Sequence, residues 1–531
     1  MSFVSGTFLI FFALLLLAYY LLPKKWQPYI LLAASYVFYV FSGAKNLFYI
    51  LLTTVTTYFG GILIGSYSKK RSEQMKALPE PLDLAGKKAW KKVTTNRKHW
   101  MVAAVLLINF GVLAYVKYFS YFAGLINNLI TARGGTANLQ AANILLPLGI
   151  SFFTFQSVSY VIDVSNNKVE PQRNFFRYAL FVSFFPQVVQ GPIGRYNDLA
   201  GQLYSSHEFN LRQVKHGLIL MLWGYFKKMV LADNLVGLVA TLFDAGLQQK
   251  GLQVFFCGLI YSFQIYADFS GGIDVARGAA QMLGITMAQN FEQPFFAATL
   301  SEFWRRWHIT LGAWTRDYVF YPLALSKTFG NLGRWGKKHI GETLGKVLPT
   351  CIVALINFLI IGIWHGANFR YIVYGLYNGI IIAIGTISEP YLARFYEKRG
   401  INAENKVLRA IRILRTIIIV SFGRIIARAD SWNVSRQMLG NMFTQKADMR
   451  WIAWLTQNPM NKRILLIVAL SIIVLLIRDV LVERGVKIYD IFDSWNVWVQ
   501  ALLIDLVILG ILVFGVYGMG YSSSAFLYGG F

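Results

Sequence analysis

Long uncharged apolar runs alternate with short segments that hold most of the Lys and Arg. A bilayer core about 30 Å thick needs about 20 apolar residues per helix, so each long run predicts a crossing. Phe3–Leu22 is the first, and Tyr29–Phe41, Leu47–Ser66, Trp100–Phe119 and Ile144–Val164 follow, the last interrupted by Pro147 and Gly149. Val347–Trp364 carries no formal charge, and another strongly apolar stretch opens by Tyr371. Weaker late spans cover Thr416–Ala427 and Ile464–Ile477, before Val497–Gly518. Between Phe175 and Phe296 the runs Phe181–Gln190, Gly217–Trp223, Val254–Tyr266 and Val275–Leu283 are short or amphipathic, and Gly191-Pro192-Ile193-Gly194 breaks the chain. Broken segments are tolerated at membrane depth where they are buried in protein or line a wet cavity, so this third is predicted to surround a funnel. The pattern predicts an all-α polytopic transmembrane bundle of about twelve crossings, with short broken, re-entrant and interfacial helices, as one membrane domain over residues 1–531.

Composition agrees: 56% of residues are hydrophobic and 14% charged, against roughly 25% charged in soluble chains. Lys plus Arg number 51 against 25 acids, a net +26. In a soluble protein that excess would point to nucleic acid. Here the cations cluster between apolar runs, which predicts cytoplasmic loops and contact with anionic lipid headgroups, with no nucleic-acid partner. Phe3–Leu22 has no basic residue before it and no small-residue cleavage signature after it, so it reads as a retained span. Lys24-Lys25 places its far end in the cytoplasm and the N-terminus outside. Residues 69–99 read as a basic cytoplasmic loop, with Leu78-Pro79-Glu80-Pro81-Leu82 breaking any helix. Thr131–Gln140 reads as an outer turn, and Lys327–Lys346 and Arg394–Arg415 as further basic loops. Arg484 and Lys487 precede the last span, which puts the C-terminal tail, residues 521–531, outside as well. Cys257 and Cys351 lie in apolar segments and read as packing residues.

The chemistry centres on histidine. His365 follows the apolar run Val347–Trp364 directly. An ionisable group at membrane depth is costly and usually functional, and imidazole titrates near neutrality, which suits a general base. A structural histidine hydrogen-bonded inside a bundle is the competing reading. Ser301–Thr310 reads SEFWRRWHIT; on a helix Trp304, Trp307, His308 and Leu311 share a face. Either this is an interfacial helix whose Arg305 and Arg306 meet lipid phosphates, or His308 faces the funnel while the arginines hold an anionic donor. The chain holds no phosphate loop, no Gly-x-Ser-x-Gly elbow and no His-Glu-x-x-His, so no bound metal and no permanent cofactor are expected. A histidine that deprotonates a hydroxyl attacking an activated acyl group fits what remains. A transporter or flippase for an envelope precursor is the rival reading.

Tyr266-Ala-Asp-Phe-Ser-Gly271 through Asp274, Asn290-Phe-Glu-Gln-Pro294, Glu302-Phe-Trp-Arg-Arg-Trp-His-Ile309, Arg316-Asp-Tyr318 and Trp364-His-Gly-Ala367 occur in that order. With Pro147–Phe155, Gly191-Pro192 and Lys228–Asp233, they resemble the membrane-bound O-acyltransferases (MBOAT), in the branch of alginate O-acetyltransferase and related cell-envelope polymer acylases. The resemblance spans nearly the whole chain. It implies a catalytic histidine at His365, a second active-site residue at His308, and substrate contacts from Trp304, Arg305, Arg306, Trp364 and Asp268. For Asp268, Ser270 and Asp274 a helix-packing role fits equally. The terminal Phe526-Leu-Tyr-Gly-Gly-Phe531 resembles a tail motif whose tyrosine, here Tyr528, is implicated as an acyl carrier. An aromatic interface anchor is the alternative. The resemblance further implies acyl-CoA, acetyl-CoA by preference, as donor in the bacterial inner membrane. It also implies a separate extracytoplasmic esterase-like (SGNH) acyltransferase as partner, and an envelope polysaccharide as final acceptor.

Overall fold

The computed structural model describes every residue except 42, 80–81, 137–146, 448–458 and 518–531. Among the described residues the regular structure is helical, with one isolated antiparallel bridge between Phe291 and Trp307. In chain order the helices begin with α1 (Gly6–Leu21), α2 (Gln27–Val40), α3 (Leu47–Lys76), α4 (Leu84–Ala132), α5 (Ile150–Ser165), α6 (Phe175–Ser183), α7 (Phe185–Gln190) and α8 (Tyr196–Tyr204). They continue with α9 (Leu211–Tyr225), α10 (Asp233–Asp244), α11 (Leu252–Met282), α12 (Leu300–Arg306), α13 (Ile309–Thr315), α14 (Tyr321–Ala324) and α15 (Lys327–Ile340). The last are α16 (Glu342–His365), α17 (Phe369–Lys398), α18 (Lys406–Arg428), α19 (Trp432–Thr444), α20 (Pro459–Glu483), α21 (Ile488–Ser494) and α22 (Val497–Phe514). Among the described residues seven helices are long and apolar enough to cross a membrane: those of α3, α4, α11, α16, α17, α20 and α22.

The helices form two compact units. One comprises Met1–Met221 with Ala276–Ala288, and the other Leu222–Val275 with the described residues from Gln289 to Tyr517. In the first unit α5 is buried along almost its whole length, polar residues included. Among these, Gln156 Nε2 donates to Phe181 O at 2.5 Å and Ser159 Oγ to Gln156 O at 2.7 Å, the internal pairing that buried polar groups require. Gly149, left-handed at φ 71°, opens it; a Cβ there would lie 1.7 Å from the carbonyl oxygen of Val188, so only glycine fits. The short, Gly/Pro-interrupted helices α6, α7 and α8 occupy the region where broken segments were expected, and α7 is buried throughout.

Several expectations change. The basic loop over 69–99 is mostly helix: α3 runs on to Lys76, and α4 starts at Leu84, where Asp83 Oδ1 accepts from Gly86 N at 2.7 Å. Lys, Arg, Ala and Gln are good helix formers, so charge ends the apolar run without ending the helix. α4 is 49 residues long, about 73 Å at 1.5 Å per residue, so much of it stands outside a 30 Å core. Its far end absorbs Thr131 and Ala132 of the expected outer turn, of which residues 137–140 lie outside the described residues. The separate runs Val254–Tyr266 and Val275–Leu283 are one 31-residue helix, α11. Likewise, Lys327–Lys346 holds the whole of α15 and the start of α16, and Arg394–Arg415 the end of α17 and the first part of α18.

The second unit is organised by a hairpin. α16 and α17 run antiparallel, joined by Gly366–Asn368, and approach closely at Gly362 and Gly375: a Cβ on Gly362 would sit 2.4 Å from Tyr371 O, and one on Gly375 2.4 Å from Phe358 O. Small residues let helix backbones come this near in membranes. Between α9 and α10 the helix widens into a π-turn over Phe226–Ala232. Such turns mark functional or strained places, and this one carries a buried ion cluster. Lys228 Nζ meets Asp233 at 2.7 Å and Asp268 at 2.6 Å, while Lys227 Nζ meets Asp274 at 2.7 Å and Ser270 Oγ at 2.8 Å.

Candidate active site

Both histidines stand where a helix stops. α12 ends at Arg306 because Trp307 is extended, and His308 is left-handed (φ 48°, ψ 52°) before α13 begins. The continuous helix expected through Ser301–Thr310 is therefore broken between Trp307 and His308. The cause is a distant segment running alongside. Glu292 N donates to Arg306 O at 2.9 Å, Ile309 N donates to Asn290 O at 3.0 Å, and Phe291 bridges Trp307. A non-glycine residue in this conformation costs about 1–3 kcal/mol and survives only where its surroundings over-determine it.

Trp307 is buried inside the protein; it stacks on Phe303 at 5.5 Å, with the Arg424 guanidinium 4.2 Å from its ring centroid. His308 is 1% exposed and meets the ring of Phe269 edge to face at 4.9 Å. Its Nδ1 lies 3.2 Å from Asn290 Oδ1, which also accepts from Thr310 N at 3.0 Å and Thr310 Oγ1 at 2.9 Å. His308 lies outside the seven membrane-length helices, and burial pushes its pKa down to about 3, so the ring is neutral near pH 7.

His365 is the last residue of α16, and α17 restarts at once because Asn368 Oδ1 accepts from Arg370 N at 3.1 Å. The imidazole is buried among rings: Trp364 at 4.8 Å, Tyr374 at 5.9 Å and Tyr371 at 6.0 Å. Trp364 also lies 5.9 Å from His308. One indole thus contacts both imidazoles, which is how the fold brings the two motifs together. Arg424 of α18, 3% exposed, donates from Nη1 to the Tyr374 hydroxyl at 3.3 Å.

The other sequence-predicted residues are placed differently. Trp304 is braced inward, its Nε1 donating to Asn378 Oδ1 at 3.0 Å and its ring 5.2 Å from Phe358. Arg305 is exposed. Arg306 is engaged with Glu302 at 3.0 Å and Glu483 at 2.7 Å, and these carboxylates, Glu483 foremost, raise its pKa. Asp268 is fully buried with its carboxylate on Lys228. Tyr528 lies outside the described residues. Asn290, Tyr374 and Arg424 were not singled out as site residues. Asn290 opens the motif Asn290-Phe-Glu-Gln-Pro294, and Arg424 is a charge inside the apolar run Thr416–Ala427. Among the described residues no group of three His, Cys, Asp or Glu is placed to hold a metal ion. The arrangement sets two imidazoles about one indole, and imidazole is the side chain that most often takes a proton from a hydroxyl and returns it to a leaving group.

Residues 148–401 match the membrane-bound O-acyltransferase family. The chain is 32% identical over 445 residues to the probable alginate O-acetylase AlgI of Pseudomonas aeruginosa, covering 84% of this chain and 75% of that protein. It is 31% identical over 391 residues to the peptidoglycan O-acetyltransferase of Helicobacter pylori, covering 68% and 64% respectively. To the teichoic acid D-alanyltransferase of Bacillus subtilis it is 26% identical over 256 residues, covering 48% and 62%.

Proposed function

The chain belongs to the membrane-bound O-acyltransferase family and is a multi-pass membrane acyltransferase; from that premise we propose that it passes an acetyl group from cytoplasmic acetyl-CoA toward an extracytoplasmic cell-envelope polysaccharide. The relatives named for alginate and peptidoglycan support a polymeric acceptor of this kind. The setting is the bacterial inner membrane, with both termini outside and about twelve crossings around a funnel that admits the thioester.

In this reading His365 is the general base. The acceptor hydroxyl gives its proton to the imidazole as its oxygen attacks the thioester carbonyl. The tetrahedral adduct then collapses, the C–S bond breaks, and the departing sulfur takes the proton back from the imidazolium. General-base assistance of this kind contributes about 10²–10⁴ in rate. The observation that carries the assignment is the contact of Trp364 with both His365 and His308, which joins two motifs distant in sequence around one ring. Trp304 and Trp364 shape the walls, and exposed Arg305 is the arginine available to donor phosphates. Tyr528 receives the acetyl group first, as an activated phenyl ester, and an extracytoplasmic esterase-like transferase moves it to the polymer. Asp268 serves the Lys228 cluster rather than substrate.

The test is polymer acetylation in membranes carrying His365→Ala, with the protein level checked by immunoblot. Loss of acetylation at normal protein level is expected; full acetylation would remove His365 from the role. Tyr528→Phe keeps the ring and removes the accepting oxygen, so unaltered acetylation by that variant would leave the tail as an anchor.

A further inference from the structure

The amide of Asn290 fixes more than the backbone turn at His308. Thr310 N–H can only donate, and it meets Asn290 at 3.0 Å, so the atom it meets is the carboxamide oxygen. Thr310 Oγ1, at 2.9 Å, donates to the same atom. Rotating the amide would turn its NH₂ toward these donors and leave a buried backbone N–H without an acceptor, which folded proteins avoid. Nothing opposes this from the nitrogen side: among the described residues Asn290 Nδ2 makes no hydrogen bond. The residue is fully buried, and its backbone carbonyl accepts from Ile309 N at 3.0 Å, so main chain and side chain clamp the same turn.

His308 Nδ1 lies 3.2 Å from that oxygen. An amide oxygen has no proton to give, so the contact is attractive only if Nδ1 carries one. A neutral imidazole has a single ring proton, and its placement on Nδ1 leaves Nε2 with a lone pair. The low proton affinity that burial imposes on this ring keeps it in the neutral form.

We propose that Asn290 is a positioning residue that locks His308 in the Nδ1–H tautomer, so that His308 enters the acyl-transfer site with Nε2 as a hydrogen-bond acceptor. This inference rests on the reading of His308 as an active-site residue. Its chemical content is specific. A ring in this form accepts a hydrogen bond from an O–H or N–H group and so orients it, and it cannot donate from Nε2 to the oxyanion of the tetrahedral adduct. A positioned carboxylate or carbonyl beside one ring nitrogen is how catalytic histidines are commonly held in the required tautomer.

The test uses the full-length protein in lipid nanodiscs with acetyl-CoA as donor. Uniformly ¹⁵N-histidine-labelled protein has six histidines, and the His308 signals are identified by their loss in His308→Gln. The expected spectrum at neutral pH shows a protonated Nδ1 and an unprotonated Nε2. An Nε2–H tautomer or an imidazolium would overturn the proposal. Kinetically, Asn290→Leu removes the acceptor and is expected to lower kcat about 10²–10⁴-fold with KM for acetyl-CoA little changed, the span of proton-transfer assistance, whose upper end is the loss from a catalytic histidine in the wrong tautomer. Asn290→Asp keeps an acceptor oxygen and is expected to recover at least tenfold over Asn290→Leu. Equal losses in the two variants would reduce Asn290 to packing and overturn the proposal. The underlying reading fails separately: full activity of His308→Gln would remove His308 from the site whatever its tautomer.

Discussion

The closest backbone approach near His365 makes a sharp test. Alanine at Gly362 would place its Cβ 2.4 Å from Tyr371 O and 3.2 Å from the Gly375 Cα, on a helix that ends three residues later at His365. Ordinary contact needs about 3.4 Å, so α17 must retreat by about 1 Å. Overpacking of this kind costs about 1–3 kcal/mol. The displaced backbone carries Tyr371 and, one turn on, Tyr374, whose rings lie 6.0 and 5.9 Å from His365. A misplacement of about 1 Å at reacting groups costs on the order of 10²-fold in rate. Gly362→Ala is therefore expected to stay in the membrane with a lower melting temperature and to lose about 10²-fold in kcat/KM. Gly385→Ala is the control: it lies on the same α17, and no heavy atom comes within 4 Å of its Cβ. It should keep full activity, and its stability should change by no more than about 1 kcal/mol. Thermal unfolding and thiol release from acetyl-CoA measure both variants in nanodiscs. If Gly362→Ala works within twofold of the parent, the close contact does not set the geometry of His365.

Arg306→Ala should act on stability rather than on the donor, since this guanidinium is committed to Glu302 and Glu483. The loss should be about 1–3 kcal/mol in thermal unfolding, with KM for acetyl-CoA unchanged. His308 gives a pH signature. Its folded pKa, near 3, lies below its ordinary value of 6.5, so between these limits the unfolded chain binds the extra proton. That stabilising difference is complete above pH 6.5 and is lost as pH falls toward 3. The melting temperature of His308→Gln should consequently fall less than that of the parent between pH 7 and 4.5; equal falls would contradict the burial argument. Asp268→Asn leaves Lys228 still paired with Asp233 and removes one charge-assisted hydrogen bond, which should cost about 1–3 kcal/mol. A melting temperature unchanged from the parent would show the cluster to be slack.

What was legible in the chain was one-dimensional. The stretches around Leu47–Ser66, Val347–Trp364 and Val497–Gly518 announce themselves because freedom from charge over a given length needs no knowledge of neighbours, and helices lie over each. Pro79 and Pro81 likewise marked the interval between α3 and α4 correctly, although the helicity of the flanking basic residues was hidden behind their charge. The fracture at His308 was not legible. Trp304, Trp307 and Leu311 carry a helical spacing, and only the Asn290–Glu292 segment lying alongside breaks it. The resemblance implies substrate contacts at Arg306 and Asp268, with helix packing equally open for Asp268, and the charges that engage them, Glu483 and Lys228, are remote in sequence. The two histidines were both identified from their local setting, whereas the indole that touches them both could be recognised only once the chain was folded.

The π-turn at Phe226–Ala232 also bears on how charge is balanced. A buried lysine needs a countercharge, and the two on Lys228 come from very different distances along the chain. Asp268 lies 40 residues after Lys228. Asp233 follows by five residues, and an i to i+5 winding brings these two side chains together without help from any other segment. The widened turn thus neutralises the cation within its own segment, and α11 supplies the second carboxylate.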